Sequence, residues 1–196
     1  MIISENDLKY CLDKASDISE NYKLTHLAAD DPQRSVDKLI STCKSYLGKS
    51  IQLIEIDIDK NESPIWGSCI ALEKSYDICY VQGLNYCWKR FVICKEVFHT
   101  ILDEDHYCNM ALDEHIDEVT VAFPKIDSDP CLSVVAEWLA EIAAMEFLFP
   151  YKSRLIYDGK VDHRAVAEKY KVPLVMIEKY LSKPHMNVLQ KFSKQV

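Results

Sequence analysis

Lys95, Glu96 and His99 lie within a largely apolar stretch of the chain. Residues 90–102 read R-F-V-I-C-K-E-V-F-H-T-I-L, with these three residues in the middle. The apolar residues recur every three or four positions, which predicts a helix that is apolar on most of its circumference and therefore buried. A charge on a buried helix is costly unless it is paired, hydrogen-bonded or bound to a metal.

The spacing of these residues is close to that of a zinc-peptidase helix, H-E-x-x-H. There, two histidines one turn apart bind zinc and the glutamate between them polarises the attacking water. Here the string is Lys95-Glu96-Val97-Phe98-His99. Glu96 thus holds the general-base position and His99 a ligand position, whereas Lys95 replaces the first histidine ligand. A lysine ammonium is a poor ligand because it must lose a proton before its nitrogen can donate.

A second motif follows at residues 137–150, which read E-W-L-A-E-I-A-A-M-E-F-L-F-P. It resembles the E-x-x-A-x-x-[FA]-A-x-x-L-L-x-P signature of the ImmA/IrrE family of zincin-like metallopeptidases. The leading glutamate of that signature is the third zinc ligand, so the resemblance implies this role for Glu137. Phe147 replaces the first leucine and keeps the position apolar. The resemblance covers residues 30 to 182.

The resemblance implies an α+β fold of the zincin-like metallopeptidase type. A small mixed β-sheet would pack on the motif helix and further helices, and a helical hairpin would close the domain. The sequence patterns follow the same order, with a helix near 35–47 and strands at 51–58, 67–72 and 76–82 preceding the motif helix. Residues 74 and 75 are expected to turn a hairpin between the last two strands.

Three segments are expected along the chain: an N-terminal helical extension over 1–30, the zincin-like domain over 31–182, and a C-terminal tail over 183–196. The extension is predicted to pack on the core, with a partner-binding helix as the alternative. Residues 160–182 resemble a helix-turn-helix. They carry few of the side chains that read bases, which favours packing over DNA recognition.

Two further predictions concern the surroundings of the motif helix. Strand 76–82 is the candidate for an edge strand that holds an extended peptide, the alternative being an ordinary strand within the sheet. Residues 103–130 are rich in acidic residues and also contain His106, Cys108 and His115, which are candidate substitute metal ligands. Inert side chains in a solvated loop are the alternative.

Composition excludes several classes of function. The chain has 23 basic and 31 acidic residues and a net charge of −8, which repels phosphate backbones and makes nucleic acid a poor partner. The longest apolar run, 134–149, contains three glutamates and is not expected to span a bilayer. Eight scattered cysteines with no C-x-x-C pair favour free thiols and a cytoplasmic location.

Three functions are therefore open. The first is a catalytically degenerate ImmA/IrrE-type protein that acts as a regulatory protein-binding module. It is expected to be inactive and to bind no zinc, and its partner class would be a transcription regulator. The second is an active zinc-dependent endopeptidase that cleaves a repressor or regulator protein. The third is a transcription regulator that uses the C-terminal helices. Lys95 favours the first, because zinc would retain two protein ligands where hydrolytic sites use three plus water.

Overall fold

The computed structural model describes residues 3–27, 31–59, 61, 65–102, 132–157 and 161–193. The helices are α1 (Glu5–His26), α2 (Val36–Leu47), α3 (Tyr86–Ile101), α4 (Leu132–Leu148), α5 (Tyr151–Arg154), α6 (His163–Tyr170), α7 (Leu174–Tyr180) and α8 (Lys183–Ser193), and a 3-10 turn spans Leu155–Tyr157. The strands are β1 (Ser50–Asp59), β2 (Gly67–Ala71) and β3 (Ser75–Gln82). The described chain is thus mixed α+β, and the predicted helices and strands that precede the second motif are confirmed within a few residues.

The three strands form one mixed sheet in the order β1-β3-β2. Strand β3 pairs in parallel with β1 and antiparallel with β2. The predicted hairpin between β2 and β3 is confirmed, and the Leu72 N–H donates to the Ser75 carbonyl at 2.8 Å across its turn.

The prediction that residues 76–82 form an edge strand is wrong, because β3 is the central strand of the sheet. Its run Ile78-Cys79-Tyr80-Val81 is buried on both faces. A continuous apolar run of this kind is typical of a strand with neighbours on both sides, whereas an edge strand more often alternates. Within the described chain the edges are β1 and β2.

Helices α3 and α4 form the centre of the molecule. Ten residues of α3 are buried, and the helix packs on β2 and β3 with one side and on α4 with another. On α4, Ala140, Ala143 and Ala144 are fully buried. These small side chains allow the neighbouring helices to approach closely, which brings the two sequence motifs together.

The N-terminal helix and the C-terminal helices of the described chain are part of the same core. The apolar side of α1 is buried, and the Cys11 thiol donates to the Leu139 carbonyl on α4 at 3.1 Å. Val166, Val172 and Ile177, from the segment of α6 and α7, also belong to the core. The tail predicted from residue 183 contains a helix, α8, and its Leu189 is buried.

A buried guanidinium holds the C-terminal helices against α3. Arg90, on α3, donates to the carbonyls of Tyr170 at 2.9 Å and Lys171 at 2.8 Å. It also donates to the Arg34 carbonyl at 2.6 Å, just before α2. One side chain therefore donates to three backbone acceptors from two distant parts of the chain.

Side-chain caps define where the predicted helices begin. The Ser35 hydroxyl accepts from the Lys38 N–H, so α2 starts at Val36. The Asn85 side chain caps α3 and the Asp162 carboxylate caps α6. These three residues are of the types that favour helix N-termini.

Two further findings concern the helices and the cysteines of the described chain. No helix within the described ranges combines the length and apolar character that crossing a membrane requires. The described cysteines, at 11, 43, 69, 79, 87 and 94, are free thiols. Burial raises the pKa of the Cys43 thiol to about 12, and it also raises the pKa of Cys11 and Cys94. These three thiols are therefore held in the unreactive protonated form.

Candidate functional site

The two motifs meet where α3 crosses α4. Lys95, Glu96 and His99 lie on α3, and Glu137 lies on the first half of α4. The Lys95 ammonium is 2.9 Å from Glu96 Oε1 and also forms a hydrogen-bonded ion pair with Glu137 Oε2. The resemblance placed Glu137 beside the first motif, and in the structure its carboxylate contacts both Lys95 and His99.

The imidazole of His99 completes the cluster. Its Nε2 is 3.1 Å from Glu137 Oε1 and 4.0 Å from Glu96 Oε2. We define these four side chains, Lys95, Glu96, His99 and Glu137, as the Lys95 cluster. Each carboxylate of the cluster thus lies within 4.0 Å of both the ammonium and the imidazole.

The four side chains of the cluster are largely shielded from water. Glu96 is 1 % exposed, whereas the side chains of Lys95, His99 and Glu137 are 18 %, 18 % and 16 % exposed. Glu96 is therefore the most deeply buried of the four side chains, and each of the other three is partly exposed.

Gly67, the first residue of β2, packs directly on Glu96 and Val92 of α3. A Cβ atom added at Gly67 would lie 2.5 Å from Val92 Cγ1 and 2.8 Å from Glu96 Oε1. Any larger residue would displace either the strand or the helix. The strand can approach Glu96 this closely only because position 67 is a glycine.

Electrostatics stabilise the charged forms of Lys95 and Glu137. Burial by itself would lower the pKa of Lys95, but the Glu96 and Glu137 carboxylates outweigh it and raise this pKa above its usual range. Burial by itself would raise the pKa of Glu137, but Lys95 and His99 outweigh it and the pKa is held well below its usual range. The ammonium and the Glu137 carboxylate are thus both charged at neutral pH.

Not every close contact in the cluster is a hydrogen bond. Within the described chain, Glu96 Oε1 and His99 Nε2 are buried without an aligned hydrogen-bond partner. Glu96 Oε1 nevertheless lies 2.9 Å from the Lys95 ammonium, and His99 Nε2 lies 3.1 Å from Glu137 Oε1. Both atoms therefore have a polar neighbour within the cluster.

The residues present do not fit a zinc ion. A catalytic zinc site needs three protein ligands around a point that no other cation occupies. Here the Lys95 ammonium stands in the first ligand position and contacts the Glu137 carboxylate that would bind the metal. Among the described residues, no group of three or more His, Cys, Asp and Glu side chains has a metal-binding arrangement. His106, Cys108 and His115 lie outside the described residues.

Glu141 lies one turn beyond Glu137 but belongs to another cluster. Its carboxylate accepts from the Tyr180 hydroxyl at 2.9 Å and pairs with the Lys179 ammonium at 2.7 Å. A neighbouring ion pair joins Arg154 to Glu146 at 2.6 Å, and Arg154 is fully buried. The sequence carried no periodic or motif signal for these contacts, which join α4 to the C-terminal helices.

Comparison with known proteins adds no assignment. No protein-family model matches the chain, and no curated protein matches it. The relation to the ImmA/IrrE family therefore stays a prediction from the two motifs and from the order of helices and strands.

Proposed function

We propose that this chain is a catalytically degenerate ImmA/IrrE-type metallopeptidase-like protein with a zincin-like fold, which acts by binding another protein. The observation that carries the proposal is the position of the Lys95 ammonium. It contacts the carboxylates of both Glu96 and Glu137, the two acidic positions of the motifs. The ammonium supplies positive charge at the place where the resemblance would put a metal.

Charge compensation explains why the cluster is stable in this form. Two buried carboxylates without a cation would be expensive, since removing one partner of a buried pair costs several kcal/mol. In a metal site the zinc ion would balance them. Lys95 supplies one covalently attached positive charge in contact with both carboxylates, which offsets part of this cost.

The class of partner follows from the resemblance and from charge. Relatives in the ImmA/IrrE family are known for acting on repressor or regulator proteins, so a transcription regulator is the partner class that the proposal implies. A net charge of −8 disfavours direct binding to nucleic acid. The proposed location is the cytoplasm, where free thiols persist.

An active zinc-dependent endopeptidase is the second candidate, and one observation favours it. His99 Nε2 and Glu96 Oε1 are both buried without an aligned hydrogen-bond partner in the described chain. Unsatisfied polar atoms of this kind often mark a site that holds something else. For zinc to bind, Lys95 would have to move away from Glu137 or lose its proton, and its raised pKa opposes the second route.

Metal content distinguishes the two candidates. The purified native chain is equilibrated with zinc, dialysed, and analysed for metal per protein by mass spectrometry. The proposal predicts zinc far below one equivalent, with no difference between the native chain and His99→Ala. About one equivalent of zinc that is lost in His99→Ala would overturn the proposal and support the endopeptidase.

A further inference from the structure

Helix α8 is poorly suited to form on its own. It has 11 residues, fewer than the roughly 12–15 that an isolated helix needs in water. Lys183 is its first residue, and its first turn carries no acidic side chain, so the charge at this end opposes the helix dipole. The formation of α8 therefore depends on the surface against which it packs.

Apolar and aromatic contacts along one side hold α8 in place. Leu189 is 5 % exposed, and Val188 and Phe192 pack against the core. One turn earlier on the same side, the His185 ring packs on the Tyr180 ring of α7, with the ring centroids 5.0 Å apart. His185 is thus part of the contact between α8 and α7.

A hydrogen bond to Ser182 indicates which ring nitrogen of His185 carries the proton. The Ser182 hydroxyl donates to the Lys179 carbonyl at 2.7 Å, so towards His185 Nδ1, at 3.2 Å, it can only accept. Nδ1 is therefore the protonated nitrogen of the neutral ring. A second proton would go to Nε2, where it would charge the imidazole and leave this bond unchanged.

The charged groups around His185 already balance one another. Lys179 on α7 pairs with Glu141 on α4 at 2.7 Å. Arg154 on α5 pairs with Glu146 on α4 at 2.6 Å. Among these four groups two cations are matched by two carboxylates, so a charged imidazole would find no unpaired carboxylate among them.

Several effects oppose a positive charge on His185. Burial and the Lys179 ammonium lower its pKa, Arg154 lowers it further, and Glu141 raises it without outweighing them. The residue also lies in the first turn of α8, where the positive end of the helix dipole disfavours a cation. The Tyr180 hydroxyl adds no compensating charge, because burial raises its pKa well above its usual value.

The direction of the pH effect follows from the lowered pKa. The unfolded value for histidine is about 6.5, so packing of α8 keeps its full stability above that pH. It loses stability as the pH falls below about 6.5 toward the lower pKa of the packed state. Acid therefore weakens the contact between α8 and α7.

Helix α8 also forms one wall of a groove of about 540 Å³. Leu189 and Phe192 line it from α8, and Leu12 and Ala15 line it from α1. Detachment of α8 would thus expose apolar side chains of α1 together with its own.

We infer that α8 is an acid-released helix, which is held against α7 at neutral pH and detaches when His185 takes up a proton, exposing the apolar wall of the groove on α1. This device belongs to the C-terminal helices. It depends neither on the proposed protein-binding function nor on the Lys95 cluster.

The test is amide hydrogen exchange of the full chain at about pH 7.5 and about pH 5.0, on either side of the ordinary pKa of histidine. Each rate is divided by the intrinsic rate of an unstructured peptide at the same pH, which leaves the opening of the helix. The central strand β3, which contains no histidine, is the internal reference. The inference predicts that α8 opens about threefold more often at the lower pH, the effect of a like charge at a helix end, whereas β3 does not change.

Three variants assign the response to one side chain. His185→Phe keeps a ring against Tyr180 but cannot take up a proton, so exchange of α8 should no longer depend on pH. His185→Lys is charged at both pH values, so α8 should open more often at both. His163→Gln removes the histidine that begins α6 and should leave the native response intact.

The inference is overturned if α8 of the native chain opens equally at both pH values, or if β3 changes as much as α8. A pH response that persists in His185→Phe, or that disappears in His163→Gln, would also overturn it. Should His185→Phe fail to fold, NMR titration of the His185 ring in the native chain decides the matter. Its pKa must lie below that of the same histidine in an unstructured peptide of residues 179–196, and an equal or higher value overturns the inference.

Discussion

The ammonium of Lys95 on α3 forms an ion pair with the carboxylate of Glu137 on α4. The two residues are far apart in the sequence, and both side chains are more than four-fifths buried. The same ammonium contacts Glu96, so one lysine lies between two carboxylates at the junction of the two motifs.

Removing this ammonium is predicted to destabilise the fold. Lys95→Met leaves the two carboxylates without their cation and should reduce the free energy of unfolding by about 3 kcal/mol, the effect of breaking a buried pair. Lys89→Met is the matched control. Its pair with Glu55 is exposed, and its loss should cost less than about 1 kcal/mol. Denaturant unfolding measures both.

A double variant tests whether the loss comes from the uncompensated charge. Adding Glu137→Gln to Lys95→Met removes one of the two carboxylates, so the double variant should recover part of the lost stability. Equal destabilisation by Lys95→Met and Lys89→Met, or no recovery in the double variant, would show that Lys95 does not have this role.

Stability should depend on pH through Glu137. Its pKa is lower in the folded chain than its unfolded value of about 4.3. The contribution of this group is thus fully present above about pH 4.3 and is lost as the pH falls further toward the folded pKa. The free energy of unfolding of the native chain, relative to that of Glu137→Gln, should decline below that pH. A difference that stays constant from pH 6 to about pH 3 would contradict the lowered pKa.

Gly67 is predicted to be intolerant of substitution. Gly67→Ala would force its Cβ against Val92 and Glu96, so it should cost about 1–3 kcal/mol through displacement of β2 or α3. Ser68→Ala, at the exposed neighbouring position of the same strand, is the control and should change stability by less than about 0.5 kcal/mol. Thermal melts of the two variants compare them directly. A Gly67→Ala variant as stable as Ser68→Ala would mean that β2 does not pack closely on Val92 and Glu96.

The sequence predicted the helices and strands well because their signals are local. Asn85 and Asp162 cap helices with their own side chains, and Gly48 ends α2 with a φ of 65° that suits glycine. The position of Glu137 beside Lys95 came from the second motif and not from periodicity. Without that resemblance, a carboxylate on α4 would have been interpreted as part of a solvated helix edge.

The order of the strands in the sheet could not be predicted from local sequence patterns. The doubly buried run from Ile78 to Val81 is consistent with a central strand, but a short apolar run does not show which strands flank it. The contact of Gly67 with Glu96 and the three carbonyls bound by Arg90 also depend on how distant segments pack. A glycine within a strand indicates a close approach without identifying the neighbour.

Zinc binding by the Lys95→His variant tests most directly the proposal that Lys95 replaces a zinc ligand. The substitution completes the H-E-x-x-H string, because it places a second imidazole one turn from His99, beside Glu137. Native protein and variant are purified together, equilibrated with zinc, dialysed and analysed for metal per chain. We predict that the native protein retains little zinc and that the variant binds about one equivalent, since three protein ligands suffice for a catalytic-type site. Stoichiometric zinc in the native protein, or no zinc in either form, would contradict the proposal that Lys95 replaces a zinc ligand.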